Sequence, residues 1–157
     1  EQAEKDRSAL GDYEVPMNEN CSQREFLAHA AIEATKTLGV AGIITDSLTG
    51  ETVRHLAAFR GPNPILAICY KEKTQRWLNL SFGVIPVHQK EHAPAAYMFT
   101  AALRMLRQKG YIGSDDKIAY LSGSFGLGNP TGTTFLEINK VSQVFDKSYE
   151  FHLPNKE

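Results

Sequence analysis

Short apolar runs alternating with helical periodicity constrain this chain more than any other feature. Val40-Ala41-Gly42-Ile43-Ile44-Thr45 and Ile65–Tyr70 are continuous apolar runs, and Val84–Val87 and Lys117–Leu121 are two further short ones. Runs of this length without polar alternation fit strands covered on both faces, the usual condition of parallel sheets. Between and before them lie helical patterns. In Gln23–Leu38, residues Phe26, Leu27, Ala30, Ala31, Ala34 and Leu38 recur at three and four spacing, with Ser22 as the better N-cap and Gly39 as the stop. Glu51–Phe59 repeats the pattern through Val53, Leu56, Ala57 and Phe59, until Gly61-Pro62-Asn63-Pro64 breaks it. Lys71–Ser81 is a short amphipathic helix and Ala93–Lys109 the longest one, closed by Gly110. Thr133–Asn139 alternates apolar with polar residues, as an exposed or edge strand does. The expected class is therefore an α/β layer fold on a mainly parallel sheet.

The 157 residues are enough for one domain with a real core. Residues 1–22 read as a charged helical end and polar linker, 23–147 as the domain, and 148–157 as a tail. The chain opens at Glu1 without a methionine, which suggests a cut inside a longer protein. With 17 basic against 18 acidic side chains the net charge is -1, which gives no reason to expect nucleic acid or an anionic membrane as partner. No apolar stretch approaches the length of a bilayer span, and no secretory leader is visible. Cys21 and Cys69 lack zinc spacing and read as unpaired thiols of a reducing, cytoplasmic compartment.

Ligands of open α/β sheets lie beyond the carboxyl ends of the strands. Two loops take that position. Ser47-Leu48-Thr49-Gly50-Glu51-Thr52 brings short hydroxyls at Ser47, Thr49 and Thr52 and a free backbone at Gly50 to a helix N-terminus. Such an end, with unpaired N–H groups and the positive pole of the helix, suits a phosphate. The acidic Glu51 opposes that reading, and a plain capping role for Ser47 or Thr49 stays open. The second loop, Ser122-Gly123-Ser124-Phe125-Gly126-Leu127-Gly128-Asn129-Pro130-Thr131-Gly132, has four glycines but no Gly-Lys-Ser/Thr, and a strand rather than a helix follows it. It reads either as a ligand lid or as a plain strand connection. His29 and His55 read as surface or satisfied core residues, and Asp115-Asp116 as a turn. No nucleophile–base set can be assembled, so no catalytic residue is assigned.

The order Gly50-Glu51-Thr52-Val53-Arg54, Phe59-Arg60, Pro64-Ile65-Leu66-Ala67-Ile68, Lys73-Thr74, Gly83-Val84-Ile85-Pro86-Val87, Lys109-Gly110 and Lys117–Gly123 resembles the C-terminal domain of pyruvate kinases. Upstream, Glu1-Gln2-Ala3-Glu4 is similar to the end of that family's last barrel helix. The resemblance implies a three-layer sandwich whose five-stranded sheet ends in an antiparallel strand. It implies an allosteric and assembly domain of a glycolytic phosphotransferase. The effector phosphate would sit on Ser47, Thr49, Gly50 and Thr52. The lid would use Ser122, Gly123, Ser124, Gly126, Gly128, Thr131 and Gly132. Leu48 and Glu51 depart from the polar or basic residues of the family pattern, and the absent Trp-Arg-Pro-Gly speaks against fructose bisphosphate as the specific effector. Mg2+ and K+ would belong to the catalytic barrel of the parent, leaving this chain without cofactor, metal or kinase activity. A homo-oligomer through Thr133–Asn139 is expected. The competing readings are a free-standing phosphometabolite-binding protein and a small enzyme in its own right.

Overall fold

The computed structural model describes residues 17, 19–89, 95–123 and 133–148. Their elements follow in the order α1 (Gln23–Thr37), β1 (Val40–Ser47), α2 (Glu51–Ala58), β2 (Ile65–Cys69), α3 (Glu72–Leu78), β3 (Val84–His88), α4 (Ala95–Gln108), β4 (Lys117–Gly123), β5 (Thr133–Lys140) and α5 (Val141–Ser148). The strands form one sheet in the order β3-β2-β1-β4-β5. The first four are parallel and β5 runs antiparallel to β4. β1 is the middle strand: Ile43 faces Ile65 on one side and Ala119 on the other.

Alternation along β1, shifted once by an irregularity between Val40 and Gly42, divides the core in two. Val40 and Ile43 meet Ala28, Ala31 and Ile32 of α1, Val53 and Leu56 of α2, and Leu78 of α3. Ile44 points the other way, to Ala102, Leu103 and Leu106 of α4 and Val141 of α5. The molecule is thus three layers with the sheet in the middle. Burying each Ile or Leu of these clusters contributes about 1.5–3 kcal/mol, which is why three of the apolar runs become the inner strands β2, β1 and β4, while Val84–Val87 forms the edge strand β3.

Helix ends follow local chemistry. At α1 the Glu25 N–H donates to Ser22 Oγ at 3.2 Å and the Ser22 N–H donates to Glu25 Oε2 at 2.7 Å, a capping box. The Ser22 hydrogen bonds hold the Glu25 carboxyl below its ordinary range. Beyond Leu38 the chain leaves the helix at Gly39, whose φ of +65° is cheap for glycine alone. One element was absent from the sequence reading. Helix α5 starts directly after β5, and the N–H groups of Val141 and Ser142 donate to the carbonyls of Asp116 and Ser114 instead of to a side-chain cap. The strand β5 is at the sheet edge as expected, but both its faces are packed. Leu136 and Ile138 lie against the first core cluster and Phe135 against the second, leaving its outer backbone edge rather than a face.

Two buried acids of the core make stability depend on alkaline pH. Desolvation pushes the Cys69 thiol from 9.0 up to about 11, slightly offset by a backbone hydrogen bond at Val87. Burial, then the negative charge of Asp46, pushes the Tyr120 phenol from 10.0 up to about 12, against a smaller lowering by Ser122. The folded state therefore keeps protons that the unfolded chain releases, so stability is intact below pH 9 and falls as pH rises through 9 to 12. Urea midpoints measured from pH 7 to 11 will be flat at first and then decline. In Cys69→Ala, less stable throughout, the decline will begin about one pH unit later, where only the phenol remains.

Candidate functional site

The carboxyl end of β1 carries the site, and strand pairing fixes it. The strand runs two residues further than the apolar run suggested, so Asp46 and Ser47 are paired to Ile68 and Cys69 of β2. Ser47 is buried, and its Oγ accepts the Gly50 N–H at 2.7 Å, closing the turn on itself. Gly50 has φ +82°, the left-handed region, and is the N-cap of α2 without any side-chain cap bond. A Cβ there would lie 3.3 Å from Leu78 Cδ2 and 3.5 Å from Thr74 Cγ2, so the backbone favours glycine and a side chain would also press on Leu78. Thr74 Oγ1 donates to the Leu48 carbonyl at 3.0 Å, anchoring the turn to α3.

The expected phosphate residues divide into two kinds. Thr49 is exposed, with Oγ1 accepting the Glu51 N–H at 3.4 Å. Ser47 and Thr52 are buried and shape the turn from within. The first backbone bond of the helix is Arg54 N–H to the Gly50 carbonyl at 3.0 Å, so helix geometry gives Thr52 and Val53 no intrahelical acceptor. The acidic Glu51 is accounted for by a residue the sequence reading passed over. Arg24 Nη1 of α1 meets Glu51 Oε2 at 2.5 Å, which offsets its charge beside the turn. Arg54, on the exposed side of α2, stacks over Trp77 with its guanidinium 5.4 Å from the ring centroid.

Of the glycine-rich loop, Ser122 and Gly123 end β4, with Ser122 buried; Ser124, Gly126, Gly128, Thr131 and Gly132 lie outside the described residues. The loop leaves at Gly123 and returns at Thr133, which are paired across β4 and β5. The structure joins that return point to the first loop. Thr52 Oγ1 and Thr133 Oγ1 are 2.8 Å apart, both side chains buried, across 81 positions of sequence. Nothing in the pattern of either segment announced this contact. On the other face of the strand ends stands a second polar group that was not foreseen. Asp46 Oδ2 accepts the Tyr70 hydroxyl at 3.2 Å, and the carboxylate charge reaches Tyr120.

The two histidines are side chains with partners. His29 packs edge-on against Phe59 at 5.4 Å, and His55 Nδ1 lies 3.9 Å from Glu25 Oε1. Asp116 Oδ2 accepts the Gly113 N–H at 2.6 Å in the turn before β4. Among the described residues, no three His, Cys, Asp or Glu side chains come together as a metal would need, and no helix is long and apolar enough to cross a membrane.

Fold and strand-end loops together define an open α/β sheet domain of the kind that holds a ligand at its carboxyl edge. Comparison with known proteins gives the family. Residues 25–138 match the model of the pyruvate kinase alpha/beta domain, and the chain belongs to that family. A pyruvate kinase of Borreliella burgdorferi is 33% identical over 123 residues, 77% of this chain and 26% of that protein. One of Lactobacillus delbrueckii subsp. bulgaricus is 29% identical over 122 residues, 76% of this chain and 21% of its own. The Cryptosporidium parvum pyruvate kinase solved in complex with ADP superposes with a TM-score of 0.72 at 21% identity, covering 80% of this chain and 25% of that one. The chain thus spans about a quarter or less of the length of these relatives.

The threonine pair gives a direct test of how the two loops are held. Replacing one partner leaves the other hydroxyl buried and unpaired, so Thr52→Val and Thr133→Val should each cost roughly 1–3 kcal/mol. Replacing both removes the orphan, and the double variant should lose clearly less than the sum of the two. Urea unfolding of the four proteins measures the coupling; strict additivity would mean that the hydroxyls do not depend on one another.

Proposed function

We infer that this chain is the C-terminal regulatory and assembly domain of a cytoplasmic pyruvate kinase, the phosphotransferase that passes a phosphoryl group from phosphoenolpyruvate to ADP. Its own task is to bind a phosphorylated metabolite on the Ser47–Thr52 turn and to transmit that binding to its neighbours. The observation that carries this reading is the turn itself. A left-handed Gly50 starts α2, Thr49 is exposed, and the uncapped N–H end of an eight-residue helix lies at the carboxyl edge of the sheet. The Arg24–Glu51 pair supports it, because the one acidic side chain in the turn is neutralised by its neighbour.

Transmission would follow the Thr52–Thr133 link into β5. A ligand that engages Thr52 changes what Thr133 bonds to, and Thr133 is the first residue of the edge strand. An unpaired edge invites a second copy of itself, and we place a two-fold dimer there, along Thr133–Asn139. The glycine-rich loop from Ser122 to Gly132 would close over the ligand. An effector then acts by favouring one arrangement of the assembled chains over another. Catalysis, with its Mg2+ and K+, would reside in the remainder of the parent, where positioning and charge neutralisation carry phosphoryl transfer.

Thermal unfolding against inorganic phosphate, AMP, ribose 5-phosphate, glucose 6-phosphate and fructose bisphosphate tests the binding role. A ligand at about 100 times its Kd adds about 2.7 kcal/mol, several degrees for a domain of this size. One of the sugar phosphates is expected to raise Tm, and Thr49→Ala to reduce the rise; no shift with any compound would contradict the effector role. In a coupled assay the isolated chain should form no ATP from phosphoenolpyruvate and ADP, and activity above background would overturn the division of labour. Sedimentation at high concentration should show dimer, and monomer alone would contradict the edge pairing.

A further inference from the structure

Trp77 and Leu80 are the most exposed large apolar side chains among the described residues, at 61% and 87%, and they are neighbours. They stand three positions apart at the end of α3, where the Leu80 N–H donates to the Trp77 carbonyl at 3.3 Å. Lys73, four positions before Trp77 and itself exposed, continues the same stripe at helical spacing. Two cations reach this stripe from α2 and the turn after it. Arg54 lies over the Trp77 ring at 5.4 Å, and Arg60 over the Phe82 ring at 5.8 Å. An apolar patch rimmed by positive charge thus lies across the outer surface of α2 and α3, the kind of surface that marks an interaction site.

The charge of this surface is one-sided. Glu51, in the first turn of α2, is engaged by Arg24 at 2.5 Å. Glu72 stands five positions before Trp77, about 140° round the helix from it. A partner for such a patch carries large apolar side chains interleaved with carboxylates. The chain itself supplies one. Residues 8–22 contain Asp12, Glu14 and Glu19 but no Lys or Arg, and Asp12-Tyr13-Glu14-Val15 alternates acidic with apolar positions. This stretch also has the reach. The described chain begins at Met17, ahead of α1, and α1 borders α2 through Arg24 and Glu51. α3 lies beyond α2 on the same face of the sheet. Helices packed side by side are about 8–10 Å apart, so α1 and α3 are roughly 20 Å apart. Six extended residues cover about 20 Å, which residues 11–16 provide.

We propose that the surface formed by Trp77, Leu80, Arg54 and Lys73 docks the acidic segment Gly11–Pro16 of the same chain, as a strap across α2. Covering Trp77 and Leu80 supplies the attraction, and the rim charges set the placement of Asp12 and Glu14. The strap ties the segment that enters the domain to α2 and α3. It does not depend on what the turn at Ser47–Thr52 binds.

Trp77 is the single tryptophan of the chain, so its fluorescence reports on the patch directly. Removing residues 1–16 should raise acrylamide quenching of Trp77 about twofold, as when half of a covered ring is returned to water. Asp12→Lys with Glu14→Lys in the 157-residue chain should raise it similarly, and adding Arg54→Glu with Lys73→Glu should restore the protection. Circular dichroism establishes that each variant is folded. Quenching left unchanged by the truncation or by the charge reversal overturns the proposal. Protection in the unaltered chain that grows with protein concentration assigns the patch to a second copy and overturns it as well.

Discussion

Burial of β1 on both faces is the constraint from which the other features follow. A strand with Ile43 and Ile44 both fully enclosed must have a helical layer on each side and a strand along each edge. That requirement places β2 and β4 beside it and divides the helices between two faces. It also makes the end of β1 a rigid crest. Asp46 and Ser47 still belong to the ladder with β2, so their side chains diverge by strand alternation rather than by loop geometry. One crest residue closes the turn into α2, and the other carries a carboxylate to the opposite face.

The turn is held by bonds made inside it rather than by its exposed residues. Ser47 closes on Gly50, Thr74 holds the Leu48 carbonyl, and Leu78 and Thr74 pack close against Gly50. Such a turn is preorganised: little ordering remains to be done when an anion arrives at the helix end. The Thr52–Thr133 contact extends the same rigidity to the start of β5, whose far side is the edge of the sheet. The Ser47–Thr52 turn and the start of the edge strand therefore meet through one pair of hydroxyls, the contact on which the regulatory role proposed above relies.

The layered fold was legible in the sequence because its strands are continuous apolar runs and its helices repeat at three and four spacing. Ser22 and Gly39 marked the ends of α1, and Ser22 does cap it together with Glu25. The boundaries erred where polarity misled. Asp46 and Ser47 read as turn residues, yet they pair with Ile68 and Cys69 because β2 extends alongside them. Helix α5 gave no signal, since its first turn is capped by the backbone of the segment before β4. In the site, the turn was visible through its hydroxyls and Gly50, but the roles of those hydroxyls were not. Ser47 and Thr52 face inward, and only the fold says so. Arg24, Thr133, Tyr70 and Tyr120 come from other elements, so no local pattern could have assembled them around residues 46–52.

Amide chemical-shift mapping of the isotope-labelled chain during titration with glucose 6-phosphate tests, residue by residue, whether the carboxyl crest of β1 and the N-terminus of α2 meet a phosphorylated ligand. The largest shifts are expected at Asp46–Val53, with a second set at Thr133 and its neighbours carried through Thr52, and little change along α1 beyond Arg24. Saturable shifts confined to other surfaces, such as α4 or the outer side of α3, would contradict it.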